Sequence, residues 1–128
     1  MKFYERLESW SYLLRSKALY HELKYYVKKK QTHIKRLYHF NSRGIGKTYN
    51  LMKISGKYKI PVVEPNIHMA KWASESYKKF KPIVVSASDL CGKINAGSIM
   101  LVDNYELLTP EARNELQKCI LIGFKIEN

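Results

Sequence analysis

Apolar positions along the chain change their period several times, and each change marks an element. Over residues 2–30, Phe3, Leu7, Trp10 and Leu14 recur at alternating four- and three-residue steps, and Leu19, Leu23 and Tyr26 resume the face after a phase shift. That spacing predicts one helix, or two with a bend near Ser16, whose stripe packs against a sheet or a neighbouring subunit. A strand-like run at 33–40 (Ile34, Leu37, Tyr38, Phe40) gives way to a helix-like run (Tyr49, Leu51, Met52, Ile54). This helix is expected to close near Ser55-Gly56, where glycine accepts a left-handed cap. Ile60 to Glu64 reads as a short strand ended by Pro65, and Asn66 as the cap of a helix with Ala70, Ala73, Tyr77 and Phe80 on one face. Pro82 to Ser86 is a third strand, followed by the polar turn Ser88-Asp89 and a linker from Gly92 to Gly97. The run Ser98 to Asp103 is a fourth strand with an acid at its tip. Thr109-Pro110-Glu111 offers a capping hydroxyl, a proline at the first helical position and a first-turn acid, and Ile120 to Ile126 is the last strand. Strands alternating with helices predict an α/β fold: a mostly parallel five-stranded sheet flanked by helices, with an extra N-terminal helix. At 128 residues there is room for one domain, an N-terminal helical segment (1–31) and an α/β core (32–128).

The most specific chemistry lies between the first strand and its helix. Asn41-Ser42-Arg43-Gly44-Ile45-Gly46-Lys47-Thr48 has the strand, tight loop, Lys-Thr, helix order of a phosphate-binding loop. Gly44 and Gly46 let backbone N–H groups turn inward around a polyphosphate, and the following helix N-terminus adds positive dipole there. Ser42, Arg43, Gly44, Ile45, Gly46, Lys47 and Thr48 are therefore the expected nucleotide-binding residues. Lys47 can reach the β- and γ-phosphates, and the Thr48 hydroxyl can ligate Mg²⁺. The usual pattern opens with glycine where this chain has Asn41, a residue that tolerates a left-handed backbone. Asp103, at the tip of a buried parallel strand, is expected beyond the carboxyl end of the sheet, near Thr48, as the second metal ligand.

Together these two elements resemble the Walker A and Walker B motifs of P-loop NTPases. Ser-Arg-Gly-Ile-Gly-Lys-Thr, with an arginine inside the loop, is most similar to the Walker A of viral DNA-packaging ATPases and terminase large subunits. The likeness covers about residues 33 to 128. It implies ATP or GTP with Mg²⁺, a γ-phosphate contact for Arg43, and a hydrolytic carboxylate directly after the Walker B Asp. That position holds Asn104, an amide that positions a water but is no useful base near neutral pH. Glu106, two residues on, is the substitute if the loop bends. Arg43, Asn104 and Glu106 are thus the candidate catalytic residues, with hydrolysis expected to be weak or absent. The resemblance also places the strand at 120–126 between the Walker A and Walker B strands, with a sensor position at Asn128. Related proteins continue with another helix and strand, so an exposed sheet edge or helix face is expected, for a partner or the N-terminal helix to cover. Arg113 is a candidate finger toward a neighbour in a homo-oligomer.

Charge adds a second theme. The formal net charge is +12, from 23 basic and 11 acidic residues, an excess that suits nucleic acid or an acidic protein surface. Lys24, Lys28, Lys29 and Lys30 beside Tyr25 and Tyr26 mix cations with stackable rings and are the expected nucleic-acid contacts. A solvated basic helix end complementing its own dipole explains them equally well. Cys91 and Cys119 lack metal-ligand spacing, and His21, His33, His39 and His68 form no zinc pattern with them. No run reaches transmembrane length and the N-terminus lacks a signal-peptide core, so the cytoplasm (of a host, if the protein is viral) is expected. Two functions remain open. One is a small phage-type nucleotide-binding protein acting on or near DNA. The other is a non-catalytic basic module that keeps the P-loop fold and binds nucleic acid or blocks a host nucleoprotein machine.

Overall fold

Five short apolar runs, each too short for a helix and rich in Val, Ile and Leu, pair side by side as a parallel sheet. The computed structural model describes residues 3–38, 46–90 and 94–127, without the side chains of 3–5 and 7–9. The strands are β1 (His33–Tyr38), β2 (Pro61–Glu64), β3 (Ile83–Ser86), β4 (Ile99–Val102) and β5 (Ile120–Glu127), in the spatial order β1-β5-β4-β2-β3. All four pairings are parallel. The last strand lies between the loop strand and the Asp103 strand, as expected.

The helices are α1 (Phe3–Lys29), α2 (Lys47–Tyr58), α3 (Ile67–Ser76) and α4 (Pro110–Leu116), with single 3₁₀ turns at Lys78–Phe80, Ala87–Asp89 and Tyr105–Leu107. Two apolar layers enclose the sheet. On one side Leu19, Leu23 and Val27 of α1 and Leu51, Met52 and Ile54 of α2 meet Leu37, Val62, Leu101, Ile122 and Phe124. On the other, Ala112 and Leu116 of α4 meet Val63, Met100, Val102 and Leu121. Full burial of one such side chain contributes about 1.5–3 kcal/mol. Asn66 caps α3 by accepting from the Met69 N–H at 2.9 Å, and Thr109 caps α4 by accepting from Ala112 at 3.2 Å.

α1 runs unbroken through Ser16, the one-helix alternative, and Trp10 and Leu14 of its stripe are 68% and 61% exposed. Two expectations are corrected. α2 does not close at Gly56. It continues to Tyr58 and ends on a left-handed Lys59, while a Cβ at Gly56 would stand 1.8 Å from the Phe80 carbonyl oxygen. Gly56 is there to admit a neighbouring backbone rather than to stop a helix. α3 stops at Ser76, so Tyr77 and Phe80 belong to its cap and the turn that follows rather than to the helix face.

α1 is fastened to the rest by polar as well as apolar contacts. Tyr26 stacks on His33 with centroids 3.9 Å apart, and Glu22 meets Lys35 at 2.7 Å. No helix among the described residues is long and apolar enough to cross a membrane.

Candidate functional site

In a parallel sheet every strand delivers its last residue to the same edge, and here β2 and β4 deliver acids. Val63 and Val102 are register partners, so Glu64 and Asp103, which follow them, lie side by side. Both carboxyl groups are buried, each residue 2% exposed. α2 starts at this edge and brings Lys47 and Thr48 to the pair. The Thr48 hydroxyl donates to Asp103 Oδ2 at 2.9 Å. The Lys47 ammonium lies 3.5 Å from Asp103 Oδ1 and donates to Asn104 Oδ1 at 3.0 Å. The structure therefore joins Lys47, Thr48, Asp103 and Asn104 across 55 to 57 residues of sequence.

Glu64 is the member that the sequence reading missed. Burial, the charge of Asp103 and a hydrogen bond to it push the Glu64 carboxyl up to about 9, against the opposing pull of Lys47. Two carboxylates in one dry site do not both ionise, so the pair shares a proton. Glu64 Oε1 is buried without a hydrogen-bond partner among the described residues, which leaves an acceptor unused at the centre of the site. The signal was present in the sequence: Val62-Val63-Glu64 repeats the apolar-run-then-acid form of Leu101-Val102-Asp103.

Gly46 caps α2 in the left-handed conformation, φ 78°. Its carbonyl accepts from Asn50 Nδ2 at 2.9 Å, and the same amide reaches the Ser16 carbonyl at 3.0 Å. α1 is thereby tied to the point where the loop enters α2. Tyr77 also faces the site: burial first, then the charges of Asp103, Tyr12 and Glu64, raise its phenol above the usual tyrosine range.

The other expected site residues fare differently. Ser42, Arg43, Gly44 and Ile45 lie outside the described residues, as do Asn41, His39, Cys91 and Asn128. Asn104 has φ 56°, a left-handed position that asparagine adopts more readily than glutamate, and its carboxamide anchors Lys47. Glu106 turns away from Lys47: its Oε1 accepts from the Ile126 N–H at 2.7 Å. Arg113 is committed to its own loop, donating to the Glu106 carbonyl at 2.9 Å. Lys28, Lys29 and Lys30, where α1 ends and leads into β1, are exposed and lie at the opposite edge of the sheet, while Lys24, a turn earlier in α1, is half-buried.

The donor set consists of hard oxygens, the Thr48 hydroxyl and the Asp103 carboxylate, with the orphaned Glu64 oxygen beside them. That set suits Mg²⁺, which takes few protein ligands and completes its shell with water and phosphate. No cluster of three or more His, Cys, Asp or Glu groups able to hold a metal alone occurs among the described residues. A separate cavity of about 870 Å³ between α3, β2, β3 and β4 is lined by Lys59, Pro61, Ala70, Asp89 and Met100 and includes none of Lys47, Thr48, Glu64 or Asp103. It carries Lys59, Lys71 and Asp89 at its lining but no buried acid pair. No protein-family model matches the chain, nor does any curated protein or solved structure.

Proposed function

We propose that the chain binds a purine nucleoside triphosphate with Mg²⁺ at the carboxyl edge of the sheet and that Glu64 is the carboxylate for its hydrolysis. One observation carries the reading: a helix-first-turn Lys-Thr pair held against two buried acids, one of which keeps an unused oxygen. Polyphosphate draws Lys47 from Asp103 and Asn104 onto its own oxygens, a stronger charge-assisted pairing. Thr48 and Asp103 would hold Mg²⁺, which supplies charge neutralisation on the phosphates and favours the ionised form of Glu64. Ionised Glu64 orients a water through Oε1 and takes its proton as the water attacks the γ-phosphorus; the bond to the β–γ bridging oxygen breaks, and nucleoside diphosphate and inorganic phosphate leave. Asn104 returns Lys47 to its resting position when phosphate leaves. The burial of Glu64 excludes bulk water from this exchange.

Calorimetry with ATP and GTP, with and without Mg²⁺, tests the binding, and phosphate release tests the chemistry. Wild type should bind, Lys47→Ala should not, and Glu64→Gln should bind while losing turnover. Wild-type protein that binds no nucleoside triphosphate overturns the proposal. Binding with no turnover in wild type selects instead the non-catalytic module that keeps the fold.

A further inference from the structure

The edge of the sheet opposite Lys47 carries a feature that nucleotide chemistry does not use. The pairings align His33, Ile122, Leu101, Val62 and Val84 in one row across the sheet. Counting back three places on each strand gives Lys30, Cys119, Ser98, Lys59 and Lys81. Three of the five strands are thus preceded, at the same offset in sequence from the aligned row, by an exposed lysine. All three are left-handed, with φ 52°, 58° and 54°, and they are three of the four non-glycine residues with positive φ among the described residues. Each ends a helical segment, where glycine is the cheapest choice.

A left-handed lysine costs about 1–2 kcal/mol relative to glycine. Helix-dipole complementation does not account for that cost. Lys28, Lys29, Lys57, Lys78 and Lys79 already supply cations in or beside the last turns, and a second cation there adds only about 0.3–1 kcal/mol. What the three positions gain is placement: the helix ends fix them in a line along the sheet edge. With strands about 4.8 Å apart, the line from β1 to β3 is about 19 Å long.

We infer that this amino edge is a nucleic-acid-binding surface. Lys30, Lys59 and Lys81, helped by Lys28 and Lys29, grip phosphates of a DNA backbone without reading sequence. A line of about 19 Å spans roughly five to six base steps of duplex, enough for each lysine to meet its own phosphate. The exposed Tyr25, with Lys29 5.8 Å from its ring centroid, offers a stacking face beside the row. Glu115 near this edge pairs with Lys118 at 3.3 Å and Glu22 with His33 and Lys35, whereas none of the three lysines of the row forms an ion pair among the described residues. The surface shares no residue with the nucleotide site and stands or falls separately from it.

The test is binding of the full chain to a labelled mixed-sequence DNA duplex, without nucleotide or Mg²⁺, over a range of salt. Wild type should bind, weakening steeply with salt. The triple variant Lys30→Asn, Lys59→Asn, Lys81→Asn should flatten the slope of log affinity against log salt by roughly 2 to 3, one counterion per lost phosphate contact. Its melting temperature should not fall, because asparagine suits the left-handed backbone; a triple glycine variant repeats the test if it does. A charge-matched variant at exposed positions elsewhere, Arg15→Gln, Lys17→Gln, Arg36→Gln, should keep the wild-type slope within about one. An unchanged slope in the asparagine variant, or an equal loss in the charge-matched one, overturns the inference. So does wild type that binds anionic phosphatidylserine vesicles or an acidic protein but not the duplex.

Discussion

The two edges of the sheet hold charge in opposite ways. At the carboxyl edge Glu64 and Asp103 are buried side by side, and the cost lies in desolvation: one of them keeps a proton well above the usual carboxylate range. At the amino edge Lys30, Lys59 and Lys81 are exposed, and the cost lies in the backbone, in three left-handed residues that are not glycine. Stability alone would replace Glu64 with an apolar residue and each of the lysines with glycine. The net charge of +12 hides this contrast, because it sums a buried acid pair with a solvated basic row.

The contrast is broken most easily at the carboxyl edge. Glu64→Gln should reduce phosphate release on the order of 10²- to 10⁴-fold while nucleotide still binds, the range expected for losing a general base. Turnover unchanged by this variant would return the role to the loop after Asp103. Lys47→Ala should weaken nucleotide binding roughly 100-fold or more, since a buried charge-assisted phosphate contact is worth several kcal/mol. Calorimetry reads it directly, and equal affinities would remove the loop from the site. Asn104→Glu should not restore turnover, because φ 56° disfavours glutamate and the change removes the Lys47 anchor.

The same pair predicts a pH dependence. The folded Glu64 carboxyl is held at about 9 against an ordinary value of 4.5. Below 4.5 it is protonated both folded and unfolded. As pH rises from there the unfolded chain releases the proton and the folded chain keeps it, so stability falls. The loss proceeds at up to about 1 kcal/mol per pH unit and stops once pH passes about 9. Denaturant titrations of the nucleotide-free protein should show this decline, and Glu64→Gln should flatten it. A wild-type curve that is flat or rising through that window would contradict the buried proton.

The smallest effect belongs to the amino edge. Lys59→Gly should raise stability by up to about 1 kcal/mol by relieving the left-handed backbone, less the entropy that glycine adds to the unfolded chain. It should leave nucleotide affinity unchanged. A destabilised variant would mean that Lys59 makes a stabilising contact that offsets its strain.

Much of the fold was legible in local pattern. Short Val/Ile/Leu runs marked the strands, Asn66 and Thr109 marked helix starts, and the Gly-Lys-Thr step placed the cationic end of α2 at the sheet. Two acids at strand tips were equally visible as sequence, yet only Asp103 was singled out, because the expectation of an acid directly after it drew attention to Asn104 and Glu106. That β2 and β4 are neighbours, with Val63 and Val102 in register, is what turns Glu64 into a partner of Asp103. Pairing between strands some forty residues apart depends on which helices fill which face of the sheet, and no window of sequence contains that competition. The same holds for Gly56, whose reason is the Phe80 backbone, and for the exposed Trp10 and Leu14 of α1, whose apolar stripe is periodic whether or not anything faces it. Periodicity is a property of one segment and so was written in the sequence. The shared proton of Glu64 and Asp103 and the alignment of Lys30, Lys59 and Lys81 are relations between segments. Only the closed sheet, by fixing strand order and register together, decided them.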